Sequence, residues 1–85
     1  MFTVYALYSE KFNKFYIGVT SDIDARLIAH NHASNKGWTK RYKPWIVLYT
    51  EIFEDKSVAL KREKQLKNSK GRDYIRGIIF SKYKR

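Results

Sequence analysis

Two phenols, a guanidinium, an imidazole and a carboxylate are spaced along this chain as though for one task. Tyr5 follows Val4 in an opening apolar tract, and Tyr16 begins Tyr16-Ile17-Gly18 after ten intervening residues. Arg26 and His30 are four residues apart, which puts them one turn apart on a helix face. Glu63 comes much later, with Ala59 four residues before it and Leu66 three after. That spacing sets a carboxylate in the middle of an apolar helical stripe.

Each residue type has a chemistry that suits phosphodiester cleavage. A guanidinium cannot lose its proton and matches the charge that grows on a phosphorane-like transition state. Imidazole titrates near neutrality and can accept or deliver a proton. A phenol becomes a usable base when nearby positive charge lowers its pKa from about 10, and Arg26 and a divalent metal are the cations expected to supply that charge. A carboxylate in an apolar stripe must be paired, protonated or bound to a metal, because burying it bare is costly. With no second acid close by, the hard oxygens of Glu63 suit Mg²⁺ held partly by water and phosphate. Singly, each residue has an ordinary structural explanation: a surface arginine, a satisfied histidine, strand tyrosines packed on the core, a glutamate in a salt bridge. His32 is turned away from the His30 face, and two histidines without a third ligand make a weak zinc signal.

The elements that must position these groups are legible in outline. Phe2 to Tyr8 alternates and is rich in β-branched and aromatic residues, so it reads as a strand. Asn13 supplies turn chemistry, and Phe15 to Thr20 is the partner strand of a hairpin. Gly18 leaves that strand without a side chain, which permits close approach by another group. Ser21 or Asp22 can cap a helix reaching about Asn31, with Ile23, Leu27 and Ile28 as its apolar stripe. Ser34 to Pro44 reads as a polar, basic loop. Trp45 to Phe53 returns to a strand pattern, with Ile46, Leu48 and Thr50 opposite Val47 and Tyr49 and with Trp45 itself in the core. Asp55 or Ser57 opens a helix to about Asn68, Gly71 punctuates, and Asp73 to Lys82 predicts a short last helix. The result is β-β-α-β-α-α: an α+β fold with a small three-stranded antiparallel sheet flanked by helices.

Composition bounds the rest. The chain has 85 residues, which predicts one small domain over 1–85 that buries about 60% of its unfolded surface. No cysteine is present, which removes disulfides, thiolate metal sites and a cysteine nucleophile and fits a reducing cytoplasm. No apolar run approaches the roughly 20 residues of a membrane span, and the start lacks the pattern of a signal peptide. The expectation is a cytoplasmic protein that does not engage membranes. Lys and Arg number 18 against 8 Asp and Glu, a net charge of +10. In residues 1–33 Lys11, Lys14 and Arg26 cancel Glu10, Asp22 and Asp24, so the whole excess lies from Ser34 onward. Such a one-sided field is the footprint of a phosphate-backbone binder. Lys36, Lys40, Arg41 and Lys43 alternate with Trp38, Tyr42 and Trp45, a mixture suited to phosphate contacts and base stacking. Lys64 and Lys67 extend the basic surface along the second helix. No reading module accompanies these residues, which predicts structure-directed or weakly sequence-dependent binding.

These positions resemble the GIY-YIG nuclease superfamily. Thr3-Val4-Tyr5 stands where that family has its first tract, and Tyr16-Ile17-Gly18 matches the second in full. Arg26 and His30 fall where its helix carries an essential arginine and a histidine or tyrosine, and Glu63 where it has a single metal-binding glutamate. The chain is most similar to the uncharacterised bacterial single-domain members, over about Phe2 to Arg72. It departs in keeping only the tyrosine of the first triplet and in carrying Val19 where some repair members have a lysine. The resemblance implies a nuclease with Mg²⁺ or Mn²⁺ on Glu63, Tyr5 assisted by His30 taking a proton from water, Tyr16 orienting, and Arg26 neutralising charge. Two other readings stay open: a catalytically silent nucleic-acid-binding module, and a subunit that needs a protein partner for specificity.

Overall fold

The computed structural model describes residues 1–32 and 37–85. Two strands, β1 (Phe2–Ser9) and β2 (Lys14–Thr20), form an antiparallel hairpin. Asn13 closes its turn with φ of 51°, the left-handed region that asparagine tolerates, and accepts a hydrogen bond from the Tyr8 hydroxyl at 2.7 Å. Helix α1 (Ile23–Asn31) starts at Asp22, whose carboxylate accepts from the Ala25 N–H at 3.1 Å. After the 3₁₀ helix Trp38–Tyr42 comes β3 (Ile46–Phe53), which pairs antiparallel with β1, giving the sheet order β2-β1-β3. Helices α2 (Lys56–Lys67) and α3 (Ser69–Tyr83) complete the α+β architecture.

The strand period of two divides β1 between two faces. Val4, Ala6 and Tyr8 point to one side, where Ala59 and Leu66 of α2 and Ile75 and Ile79 of α3 close an apolar core. Tyr5 and Leu7 point to the other side, against Trp45, with Tyr16, Ile23, Leu27 and Tyr42 around them. All five β1 residues are fully buried.

Several sequence expectations change. The register of β3 slips between Ala6 and Leu7, so Tyr5 faces Thr50 while Leu7 faces Val47. Leu48 is the extra residue of this irregularity and turns into the α2/α3 core, whereas Thr50 shares a face with Val47, not with Leu48. Helix α3 is longer than Asp73 to Lys82, because the Asn68 side chain caps it by accepting from the Gly71 N–H at 2.9 Å. Gly71 therefore lies inside the helix. A Cβ there would stand 2.1 Å from the Gln65 carbonyl oxygen and 2.4 Å from the Leu66 Cα, so the tight α2–α3 corner requires glycine. Ile28 is 65% exposed and falls outside the stripe of α1.

Candidate active site

The hairpin brings the two tyrosines together. Tyr5 pairs across the strands with Gly18, and a Cβ at Gly18 would lie 2.5 Å from the Tyr5 hydroxyl oxygen. The space left by the glycine is thus filled by the phenol of the first tract. Tyr16, half-buried on the edge strand, has its ring centroid 6.3 Å from that of Tyr5 and 4.9 Å from that of His30.

Helix α1 adds the nitrogen groups. The Arg26 Nε donates to the Tyr5 hydroxyl oxygen at 3.4 Å, and His30 Nε2 lies 3.4 Å from the same oxygen. Its Nδ1 is 2.9 Å from the Thr39 Oγ1. With the proton on Nδ1, His30 donates to Thr39 and accepts from Tyr5, so a relay runs from phenol to imidazole to hydroxyl. Thr39 is itself held in place, since its carbonyl accepts from the Trp45 indole N–H at 2.8 Å. Asn31 fixes the start of β3 by accepting from the Trp45 N–H at 2.7 Å and donating to its carbonyl at 3.0 Å. The sequence did not single out Thr39 or Asn31, because nothing in their types or spacing separates them from other loop and helix-end polar residues.

Of the two cations expected to act on the Tyr5 phenol, Arg26 by itself does not bring its pKa below the ordinary value. Burial raises the Tyr5 pKa above its ordinary value and outweighs the Arg26 hydrogen bond, which lowers it. Charge on Tyr16 and on Glu63 pushes it further up. Burial also lowers the His30 pKa, with the Arg26 charge acting in the same direction. His30 is therefore a neutral imidazole at neutral pH and the better proton acceptor of the pair. The Arg26 pKa is raised, first by its hydrogen bond to Tyr5, so it is a permanent cation.

These groups border an open hollow of about 390 Å³, lined by Tyr16, Arg26, Ala29, His30, Trp38 and Thr39 together with Gly37. Tyr5 is fully buried and is not part of this lining; it connects to the hollow through its bonds to Arg26 and His30. Glu63 comes from α2, on the opposite face of the sheet, and does not line the hollow. It is nonetheless close enough for its charge to act on the Tyr5 phenol. Its side chain is 19% exposed and pairs with Lys67 Nζ at 3.4 Å. A half-exposed pair four residues apart is worth about 0.3–0.5 kcal/mol, too little to hold the carboxylate against a divalent cation. Among the described residues no three His, Cys, Asp or Glu cluster as a metal cage. The donor set thus fits an ion that keeps water and takes substrate oxygen, the habit of Mg²⁺.

The basic residues lie on both sides of the sheet. Lys40 and Arg41 are exposed on the 3₁₀ helix beside the half-exposed Trp38, and Lys43 follows them, partly buried. Lys64 and Lys67 are exposed on α2. Lys36 lies outside the described residues. No helix among the described residues is long and apolar enough to cross a membrane.

The chain is 37% identical over 57 residues to a UPF0213 protein of Staphylococcus haemolyticus, covering 67% of this chain and 70% of the relative. It is 40% identical over 57 residues to a UPF0213 protein of Staphylococcus saprophyticus, with the same coverage. A UPF0213 protein of Staphylococcus aureus is 40% identical over 52 residues, 61% of this chain and 63% of that one. No solved structure gives a significant match. The family model described as the GIY-YIG catalytic domain matches residues 1–76, and the chain belongs to that nuclease family.

Proposed function

We propose that this protein is a divalent-metal-dependent nuclease that hydrolyses phosphodiester bonds in DNA, with residues 1–85 acting as one catalytic module. The observation that carries the reading is the meeting of Arg26 and His30, both lining one open hollow, on the hydroxyl of the buried Tyr5. Arg26 holds a non-bridging phosphate oxygen and neutralises the charge that builds there in the transition state. Tyr16, on the wall, orients the phosphate or the attacking water. The water proton passes to the Tyr5–His30 relay, with neutral His30 as its final acceptor. Glu63 is the residue that would hold Mg²⁺ or Mn²⁺, whose chemistry there is to stabilise the leaving 3′-oxygen. Lys40, Arg41, Lys43, Lys64 and Lys67 supply phosphate contacts, with Trp38 as a stacking surface. Binding is structure-directed or weakly sequence-specific, because phosphate contacts position without specifying.

A second reading, a silent or partner-dependent nucleic-acid-binding module, draws on the Lys67–Glu63 ion pair, which leaves Glu63 engaged within its own helix. Incubating the pure protein with nicked, branched and single-stranded DNA separates the two. Cleavage with Mg²⁺ or Mn²⁺ that stops with chelator and in Glu63→Ala supports the nuclease. Binding without cleavage under every metal condition supports the module, and recovery of cleavage with a co-purifying protein supports its partner-dependent form.

A further inference from the structure

A chain of rings leads out of the hollow. His30 meets Tyr16 at 4.9 Å between centroids, and Tyr16 meets Trp38 at 6.3 Å. Trp38 meets Tyr42 at 5.0 Å, and Tyr42 meets Phe12 on the hairpin turn at 5.5 Å. Cations accompany it: Lys14 Nζ lies 5.8 Å from the Tyr42 centroid and Lys11 Nζ 5.5 Å from that of Phe12. Lys40 and Arg41 are exposed on the helix that carries Trp38 and Tyr42.

Tyr16 and Tyr42 pack against the Tyr5–Leu7–Trp45 cluster, but the core does not account for Trp38 and Phe12. Trp45, 2% exposed and 6.0 Å from Trp38, already fills the space beneath the 3₁₀ helix. Trp38 remains 50% exposed and Phe12 41% exposed. Two exposed rings, Trp38 and Phe12, joined by the partly buried Tyr42 and set beside Lys and Arg, form a platform for bases, since every base offers a π-face and every nucleotide a phosphate. A duplex cannot use such a platform, because its base faces are stacked on one another and only edges and backbone are presented.

We propose that the track from Tyr16 to Phe12 binds an unpaired nucleic-acid strand by base stacking and leads its phosphates into the hollow. The inference rests on the nuclease reading of that hollow and names the substrate class: single strands or unpaired flaps, not intact duplex. The test is equilibrium binding in the presence of chelator, where no hydrolysis occurs. The probes are oligodeoxythymidylate, oligouridylate, a blunt DNA duplex and an abasic strand, all of equal length. Either thymidylate or uridylate should bind at least tenfold more tightly than the duplex and the abasic strand, and the tighter of the two identifies the sugar. Trp38→Ala and Phe12→Ala should each weaken that binding by about tenfold, the scale of one lost base–aromatic stack. The salt dependence should stay unchanged in both, because no phosphate contact is removed. Both side chains are about half exposed, and circular dichroism of each variant verifies that it is folded. Equal affinity for the abasic strand or the duplex overturns the inference, as does unchanged affinity in both variants. If stacking is found but no metal restores cleavage, the nuclease reading falls and the binding track stands.

Discussion

The two faces of β1 are equally buried and differently used. Val4, Ala6 and Tyr8 face α2 and α3 through apolar packing, while Tyr5 on the other face meets Arg26, His30 and, through the imidazole, Thr39. Burial on the first face is a source of stability, at about 1.5–3 kcal/mol for a large apolar side chain. Burial on the second shifts proton affinities, raising Tyr5 and lowering His30. The same exclusion of water thus holds one side together and tunes the other, and the difference lies in what the buried groups meet: apolar side chains on the first face, a guanidinium and an imidazole on the second.

The sharpest separation should come from one substitution on each face. Arg26→Ala is expected to lower cleavage by about 100-fold or more, the scale of losing one transition-state donor, with little change in denaturant midpoint. Leu66→Ala should cost about 2–5 kcal/mol of stability while the rate per folded molecule stays constant. Parallel cleavage assays and urea titrations check the pair, and a joint loss in either variant would merge the two faces.

The two glycines sharpen the contrast. Alanine at position 71 collides with backbone, and Gly71→Ala should destabilise by about 1–3 kcal/mol. Alanine at position 18 meets the far end of the Tyr5 side chain, which can move. Gly18→Ala should therefore lower cleavage more than it lowers the melting temperature, with the Tyr5 hydroxyl pushed off Arg26 and His30.

Acid should loosen the faces in different windows. His30 has a folded pKa below its ordinary 6.5, so between those values the unfolded chain binds more protons, and stability falls as pH drops below about 6.5. His30→Gln should flatten that limb in a pH series of melting temperatures. On the α2 side, burial opposes ionisation of Glu51, but hydrogen bonds from Arg62, at 3.0 Å, and from Tyr49 hold its pKa below the ordinary 4.5. Its contribution is complete above about pH 4.5 and is lost only at lower pH. The smallest effect belongs to Ile28→Ser, expected within about 0.5 kcal/mol, because the side chain is 65% exposed.

Much of this was legible before the structure. The hairpin followed from alternation and Asn13, and Asp22 and Asp55 were read as candidate helix caps, which they are. Arg26 and His30 shared a face by spacing alone. Other features were not legible. The irregularity at Leu48 depends on the pairing partner, so the period of β3 gave the wrong companions for Thr50. Gly71 looked like a breaker because glycine's local preference says nothing of a backbone 2.1 Å away. Thr39 became part of the site through a contact nine residues back along the chain.

The residue types, their periodicity and the charge balance determined the family resemblance, the element order and a basic surface, because these depend on local preference and composition. Tertiary structure alone decided that burial outweighs Arg26 at the Tyr5 phenol and that Gly18 makes room for that ring. It alone decided that Glu63 stands outside the lining of the hollow and pairs with Lys67. Proton affinity and steric fit are set by which groups end up adjacent and how much water they exclude, and neither quantity is carried by position along the chain.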